Sequence, residues 1–237
     1  PSLGLHSVVI VMATAATQDK RLASKVVGDD GSRTCPWYDP SSMPFFNGNT
    51  PSSVWNMFDR SAVANPTGNC IGWRPYTAPD TTTVANSYTY MSYSETKQKC
   101  LLVGHALIQL GLKKGDCIGI YSRNNPSWMM ASYGSASQGL VTVPIYDSLG
   151  VDAAEYVINH ASIQAIFVES KNVDNLLALK EKCPLLKTII LIDMFDYNSP
   201  RLLKHPKVES KQVIPFPAFL ETVEKKDLEA NSEVSLE

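Results

Sequence analysis

The sequence predicts an α/β protein: a doubly wound, mostly parallel sheet with helices on both faces, preceded by an irregular N-terminal arm. Three observations lead there. From residue 117 onward, short solid apolar runs (CIGIY, LVTV, AIFV, TIILI) alternate with segments of helical period, and strands apolar on both faces belong in a parallel sheet covered on both sides. The stretches between successive runs each hold one helix, as right-handed crossovers require. Residues 17–51, by contrast, are rich in Asp, Ser, Gly and Pro, including GDDGS and YDPSSMP, and carry no period.

Ser53 is placed to cap the first helix, with Val54, Met57, Phe58 and Ala62 as its apolar stripe. A strand pair follows, Cys70–Trp73 and Tyr88–Met91, joined by the loop PYTAPDTTTVANS. Ser92 and Glu95 form a capping box, in which each side chain bonds the other's backbone amide. The helix they open is expected to bury Tyr93, Cys100, Val103, Leu107 and Leu110 and to stop at Gly111. Next come a strand over Cys117–Tyr121, a helix over Ser127–Gln138 and a strand over Leu140–Val143. The helix Asp152–His160 carries Asp152 and Glu155 toward its positive end. A strand over Ala165–Val168, a helix over Val173–Lys182 ended by Pro184, and a strand over Thr188–Ile192 complete the regular series. A weaker strand, Val213–Phe216, and a helix, Ala218–Lys225, extend it. The predicted organisation is an arm over 1–51, an α/β portion over 52–226, and a polar, acidic linker over 227–237.

A chain of 237 residues buries enough surface to need no disulfide or metal staple. Its 44% hydrophobic and 19% charged content is that of a globular protein. A net charge of −2 with no basic cluster excludes nucleic-acid binding driven by phosphate contacts. Five dispersed cysteines (Cys35, Cys70, Cys100, Cys117, Cys183), odd in number and without a Cys-x-x-Cys, exclude a zinc site and a secreted disulfide framework. Reduced, intracellular surroundings fit them, with an organelle or a peripheral membrane position left open. The apolar run Leu3–Ala16 is too short to span a bilayer and carries His6, so no transmembrane span is expected. It reads either as the remnant of a targeting segment, since the chain begins at Pro1, or as a buried strand or docked arm.

The chain carries few motifs with chemistry of their own. Gly134-Ser-Ala-Ser-Gln-Gly139 has the outer glycines of a phosphate loop, but Leu140 and Val141 stand where Lys and Ser/Thr are needed. Its small residues are expected to let a helix pack tightly on the sheet. No dinucleotide fingerprint, nucleophile elbow or zinc-protease motif occurs, and His6, His105, His160 and His205 are read as structural. Asp116 precedes a strand, at the sheet's amino end, whereas ligands of open α/β sheets bind at the carboxyl ends. Glu169, Asp193 and Asp147 do follow carboxyl ends. Tyr146 and Asp147 are therefore the candidate substrate-binding residues. A turn acid capping the next helix accounts for Asp147 first, and substrate contact second. No catalytic or metal-binding residue is assigned.

The segments GDCIGIY (115–121), NPSW (125–128), VPIYDSLG (143–150) and EYVINHA (155–161) resemble, in order and spacing, the amino-terminal half of eukaryotic long-chain acyl-CoA synthetases, members of the adenylate-forming superfamily. The likeness runs from about Ser53, through Gly72-Trp-Arg74 and Tyr93-Ser-Glu95, to roughly Glu224. The resemblance implies a reaction in which a fatty-acid carboxylate attacks ATP, with magnesium neutralising phosphate charge, before the acyl group passes to the CoA thiol. It implies ATP, Mg and CoA for a complete enzyme and none in this chain. The family's Thr/Ser/Gly-rich loop, its later acidic and arginine residues and its carboxyl-terminal lysine domain have no counterpart among these 237 residues. Two departures stand out: Ser127 occupies a position where the family has Glu before Trp, and the first fifty residues match nothing in it. Two functional expectations follow: the amino-terminal portion of a fatty acid–CoA ligase, inactive alone, or a non-catalytic structural subunit whose N-terminal arm binds protein partners. A nucleotide-binding regulatory domain is a third reading, and the lack of a glycine-rich loop speaks against it.

Overall fold

The computed structural model describes residues 25–26, 29, 31, 33–34, 52–78, 81–146, 148, 150–193, 197 and 200–223. The chain divides into two compact units, Pro1–Thr50 and Pro51–Glu237. In the first, within the stretch read as irregular, β1 (Lys25–Val26) pairs antiparallel with β2 (Arg33–Thr34). The expected linker at 227–237 lies outside the described residues, as do Cys35, His6 and Asp147.

The second unit opens with α1 (Val54–Ala64), capped where the Ser53 hydroxyl accepts a hydrogen bond from the Asn56 amide at 3.0 Å. Its buried face differs from the expected stripe. Trp55, Phe58 and Ala62 are buried, whereas Val54 and Met57 are half exposed. Both sets satisfy helical spacing, and the turn of the helix that hides two large aromatics removes more apolar surface from water. Phe58 then stacks on Tyr133 with centroids 4.7 Å apart.

β3 (Asn69–Trp73) and β4 (Thr89–Ser92) form an antiparallel hairpin, and a bridge between Tyr76 and Val84 ties its connecting loop. α2 (Tyr93–Gln109) begins in the predicted capping box. The Glu95 amide donates to Ser92 Oγ at 3.2 Å, and the Ser92 amide to Glu95 Oε2 at 2.8 Å. Cys100, Val103 and Leu107 are buried and Tyr93 packs against the core, but Leu110 lies just past the helix and is exposed. The chain reverses there through Gly111, whose φ of +94° favours a residue without Cβ.

Five parallel strands make the main sheet: β5 (Cys117–Tyr121), β6 (Val141–Ile145), β7 (Ala165–Glu169), β8 (Thr188–Ile192) and β9 (Ile214–Pro215), in the order β6-β5-β7-β8-β9. β6 runs further than predicted, through Pro144, because among the described residues it is an edge strand with a neighbour on one side only, where a missing N–H is tolerated. The crossover helices are α3 (Pro126–Ser137), α4 (Val151–His160) and α5 (Val173–Leu179). The chain steps from β5 out to β6, then back past β5 to β7. Right-handed crossovers in opposite directions put α3 on one face, with α2, and α4 and α5 on the other. α5 tightens into a 3₁₀ turn at Lys180–Lys182 ahead of Pro184. Two short proline-opened helices, α6 (Pro200–Leu203) and α7 (Pro206–Glu209), precede β9, and α8 (Phe216–Glu221) starts earlier than predicted.

The central strands β5, β7 and β8 bury almost everything they carry: Ile118, Ile120, Ile166, Phe167, Val168 and Ile190 are fully enclosed. Phe167 meets Phe216 and Phe219 edge-on at 6.2 and 5.8 Å, which anchors α8 on the sheet. The glycine-serine stretch of α3 packs against α2, where packing on the sheet was expected. A Cβ on Gly134 would lie 2.5 Å from the Cys100 carbonyl oxygen, and one on Gly104 would lie 2.7 Å from the Gly134 carbonyl oxygen. The two helices cross backbone to backbone, and the stretch has no role as a phosphate loop. No helix among the described residues is long and apolar enough to cross a membrane.

Candidate functional site

In an open parallel sheet the strand order reverses at one point, and the loops leaving the carboxyl ends diverge there. Here that point lies between β5 and β7. The loop after β5 carries Ser122, Arg123 and Asn124, and β7 ends at Glu169. Arg123 and Glu169 close the gap with a two-pronged ion pair: Nη2 donates to Oε1 at 2.5 Å and Nε to Oε2 at 3.3 Å, with the Arg123 amide adding a bond to Oε2 at 3.4 Å. The Glu169 side chain is 6% exposed and that of Arg123 49%. The buried carboxylate thus fixes a half-exposed guanidinium.

The loop is rigid for a local reason. Asn125 caps α3: its Oδ1 accepts from the Trp128 amide at 2.9 Å, while its Nδ2 donates to Ser122 Oγ and to the Arg123 carbonyl, both at 2.9 Å. Pro126 follows at the first helical position, where its missing N–H costs nothing. The positive end of α3 therefore points out of the sheet beside Arg123.

Beside this loop, between β5 and the edge strand β6, opens a cleft of about 520 Å³. Ser122, Arg123 and Asn124 form its polar rim, and Trp128, Pro144, Ile145 and Tyr146 its apolar wall. Tyr146 is 68% exposed, so its ring is available to a ligand. Cation, helix end and planar apolar wall together suit a ligand with an anionic group and a flat or apolar body.

Of the residues singled out by sequence, Tyr146 lies on this cleft. Asp147 lies outside the described residues, and the N-cap of α4 is Gly150, which offers no side chain for a cap. Asp116 sits at the amino end as expected, holding a turn by accepting from the Lys113 amide at 2.8 Å. Asp193 is buried beyond β8. His160 stacks on Tyr156, and His205 caps α7. Arg123 and Trp128 were not picked out by sequence. The available signal was position, since Arg123 is among the first polar residues past the end of a fully apolar strand.

Burial pushes the thiols of Cys70, Cys100 and Cys183 up, so none is a thiolate at neutral pH. Among the described residues no group of three His, Cys, Asp or Glu could hold a metal ion.

Comparison with known proteins agrees with this geometry. A family model described as "AMP-binding enzyme" matches residues 72–233, which include the whole cleft. Long chain acyl-CoA synthetase 2 of Arabidopsis thaliana is 36% identical over 139 residues, 58% of this chain and 20% of that protein. A peroxisomal acyl-CoA ligase of Penicillium roqueforti is 32% identical over 152 residues, 61% of this chain and 21% of its own. Fatty acyl-CoA synthetase A of Dictyostelium discoideum is 40% identical over 106 residues, 45% of this chain and 16% of its own. The chain thus spans about a fifth of the length of the curated relatives it matches. Among solved structures, the A-PCP didomain of a carboxylic acid reductase from Segniliparus rugosus, in complex with AMP, superposes with a TM-score of 0.64 at 12% identity, covering 73% of this chain and 27% of that one. An acetoacetyl-CoA synthetase from Streptomyces lividans gives 0.56 at 15%, covering 71% and 25%. With its sheet order, its carboxyl-end cleft and a family match over most of its length, the chain belongs to the AMP-binding enzyme family, and its relatives include long-chain acyl-CoA synthetases.

Proposed function

We propose that these residues are the amino-terminal α/β portion of a long-chain fatty acid–CoA ligase, which joins a fatty acid to CoA at the expense of ATP and releases AMP and pyrophosphate. The observation that supports this most is the cleft at the carboxyl end of the sheet, with a fixed guanidinium and a helix amino end on its rim, inside the matched region. In this reading the cleft takes an anionic, nucleotide-bearing part of a substrate. Arg123, steered by Glu169, meets its negative charge, and Tyr146 and Trp128 flank its planar part. Asp147 turns the chain and is not a substrate contact.

The residues in hand do not fit a magnesium-bound triphosphate. The sequence holds no glycine-rich loop that could present several amides and a lysine, and the described residues hold no cluster of carboxylates for the ion. The chain supplies a wall of the site and not its reacting groups. By itself it forms no acyl-CoA.

The test compares the 237-residue chain with a longer protein that contains it, both given palmitate, ATP, magnesium and CoA. Acyl-CoA is expected from the longer protein only. In that protein Arg123→Met should lower kcat/KM about tenfold, chiefly through KM. Micromolar, magnesium-dependent ATP binding by the isolated chain in calorimetry, or acyl-CoA formation by it, would overturn this reading.

A further inference from the structure

A second concavity lies away from the cleft just described. It is walled by the β3–β4 hairpin, the first turns of α2 and Tyr197, and it encloses about 380 Å³, the size of a small-ligand site. Three rings line it among the described residues. Trp73 and Tyr197 meet edge-on, with centroids 5.7 Å apart and planes at 79°. Tyr90 lies over its cross-strand partner Gly72, where a Cβ would stand 2.6 Å from the ring, so the glycine makes the room that sets the ring's position.

The polar groups around these rings are mostly donors. Lys99 Nζ sits 5.8 Å from the centre of the Tyr197 ring and forms no ion pair among the described residues. Gln98 adds an amide. Among the described residues the one carboxylate on the wall, Glu95, is engaged through Oε2 by both the amide and the hydroxyl of Ser92. Trp73 Nε1 is buried with no hydrogen-bond partner. A buried indole N–H normally finds an acceptor, and an orphan next to a concavity calls for one.

We propose that this concavity binds a small planar anion of the aryl carboxylate class. Its ring stacks among Trp73, Tyr90 and Tyr197, and its carboxylate meets the Lys99 ammonium and accepts from Trp73 Nε1. The indole N–H is covered in the free protein, so binding includes a small shift of the wall that uncovers it. None of these residues belongs to the sheet-end cleft, and the proposal stands apart from the ligase reading.

Benzoate is the probe, titrated into the 237-residue chain with ¹⁵N-labelled indoles, the Trp73 resonance being assigned by its loss in Trp73→Phe. A saturable shift of that resonance is expected, with half-saturation below about 1 mM. Lys99→Met, or benzyl alcohol in place of benzoate, should raise the half-saturation point at least about tenfold. No shift up to about 10 mM benzoate, equal binding of benzyl alcohol, or unchanged binding by Lys99→Met would each overturn the proposal. Trp73→Phe keeps the ring and deletes the donor. Followed through the Lys99 side-chain signals, it should bind benzoate at least about tenfold more weakly. If it melts higher and binds benzoate as the parent does, the orphan N–H is only a packing cost and the proposal fails.

Discussion

Arg123 and Glu169 are joined across 46 positions of sequence, and their unequal exposure sets what each contributes. Glu169 is taken out of water and depends on its partner, while Arg123 remains half in water and does not. Arg123→Met should therefore destabilise by about 2 kcal/mol, less than the roughly 3–5 kcal/mol for a wholly buried pair, because solvent screens the exposed half. Adding Glu169→Gln removes the stranded charge and should recover most of that loss. Urea midpoints of the parent, the two single variants and the double variant check this, and additive losses would contradict it. A second residue-scale effect is a dependence on pH. Burial holds His205 below its ordinary value of 6.5, with Lys207 lowering it further and Asp174 opposing both. Its Nδ1 also accepts from the Lys207 amide at 3.3 Å, which only the unprotonated nitrogen can do. The unfolded chain then binds the proton more tightly than the folded one, so this contribution to stability is present above pH 6.5 and is lost as pH falls below it. His205→Asn keeps an acceptor at the cap without titrating. The difference in urea midpoint between parent and variant should move in the variant's favour as pH falls from 7 toward about 5.5.

At the scale of elements, the crossing of α2 and α3 governs how closely the layers pack. Gly134→Ala would place a methyl 2.5 Å from the Cys100 carbonyl oxygen and 2.8 Å from Val103 Cβ, and neither is the end of a flexible side chain. The helices must separate, at a cost of about 2 kcal/mol, despite alanine's better helix propensity. A thermal melt of Gly134→Ala equal to the parent's would show that the crossing is looser than it looks. This contact was not legible beforehand: the small residues of α3 mark a close approach, but not whether a sheet or a helix makes it. The same limit explains the other misses. Two apolar stripes that share Phe58 and Ala62 fit α1 equally well by period, and only tertiary packing, with Phe58 stacked on Tyr133, turns Trp55 inward in place of Val54 and Met57. Pro144 looks like a strand's end until β6 is known to be an edge. α6 and α7, of four residues each, are too short to show a period. What was legible is what local chemistry decides: the Ser92–Glu95 box, the stop at Gly111, and strands apolar enough to need cover on both faces.

For the whole molecule, the sequence pointed to the carboxyl end of the sheet, where the cleft opens, but to only part of the cleft's lining. Tyr146 follows directly from the rule that ligands bind at carboxyl ends. Arg123 and Glu169 do not, because strand order brings them together and a sequence does not state strand order. Tyr146 borders the cleft and exposes its ring, so it can contact a ligand at no cost to the fold. Asp147 lies outside the described residues, and the N-cap of α4 is Gly150. In a longer protein with ligase activity, Tyr146→Ala should lower kcat/KM about tenfold, equivalent to about 1.4 kcal/mol of lost binding, and leave the melting temperature unchanged. Asp147→Asn, which keeps a side-chain acceptor for the turn, should leave both at the parental level. Measuring rates and melts together separates the outcomes. A loss of activity in Asp147→Asn with an unchanged melt would move the substrate contact from the ring to the acid, and a fall in the melt of Tyr146→Ala would make the tyrosine a structural residue whose exposure is incidental.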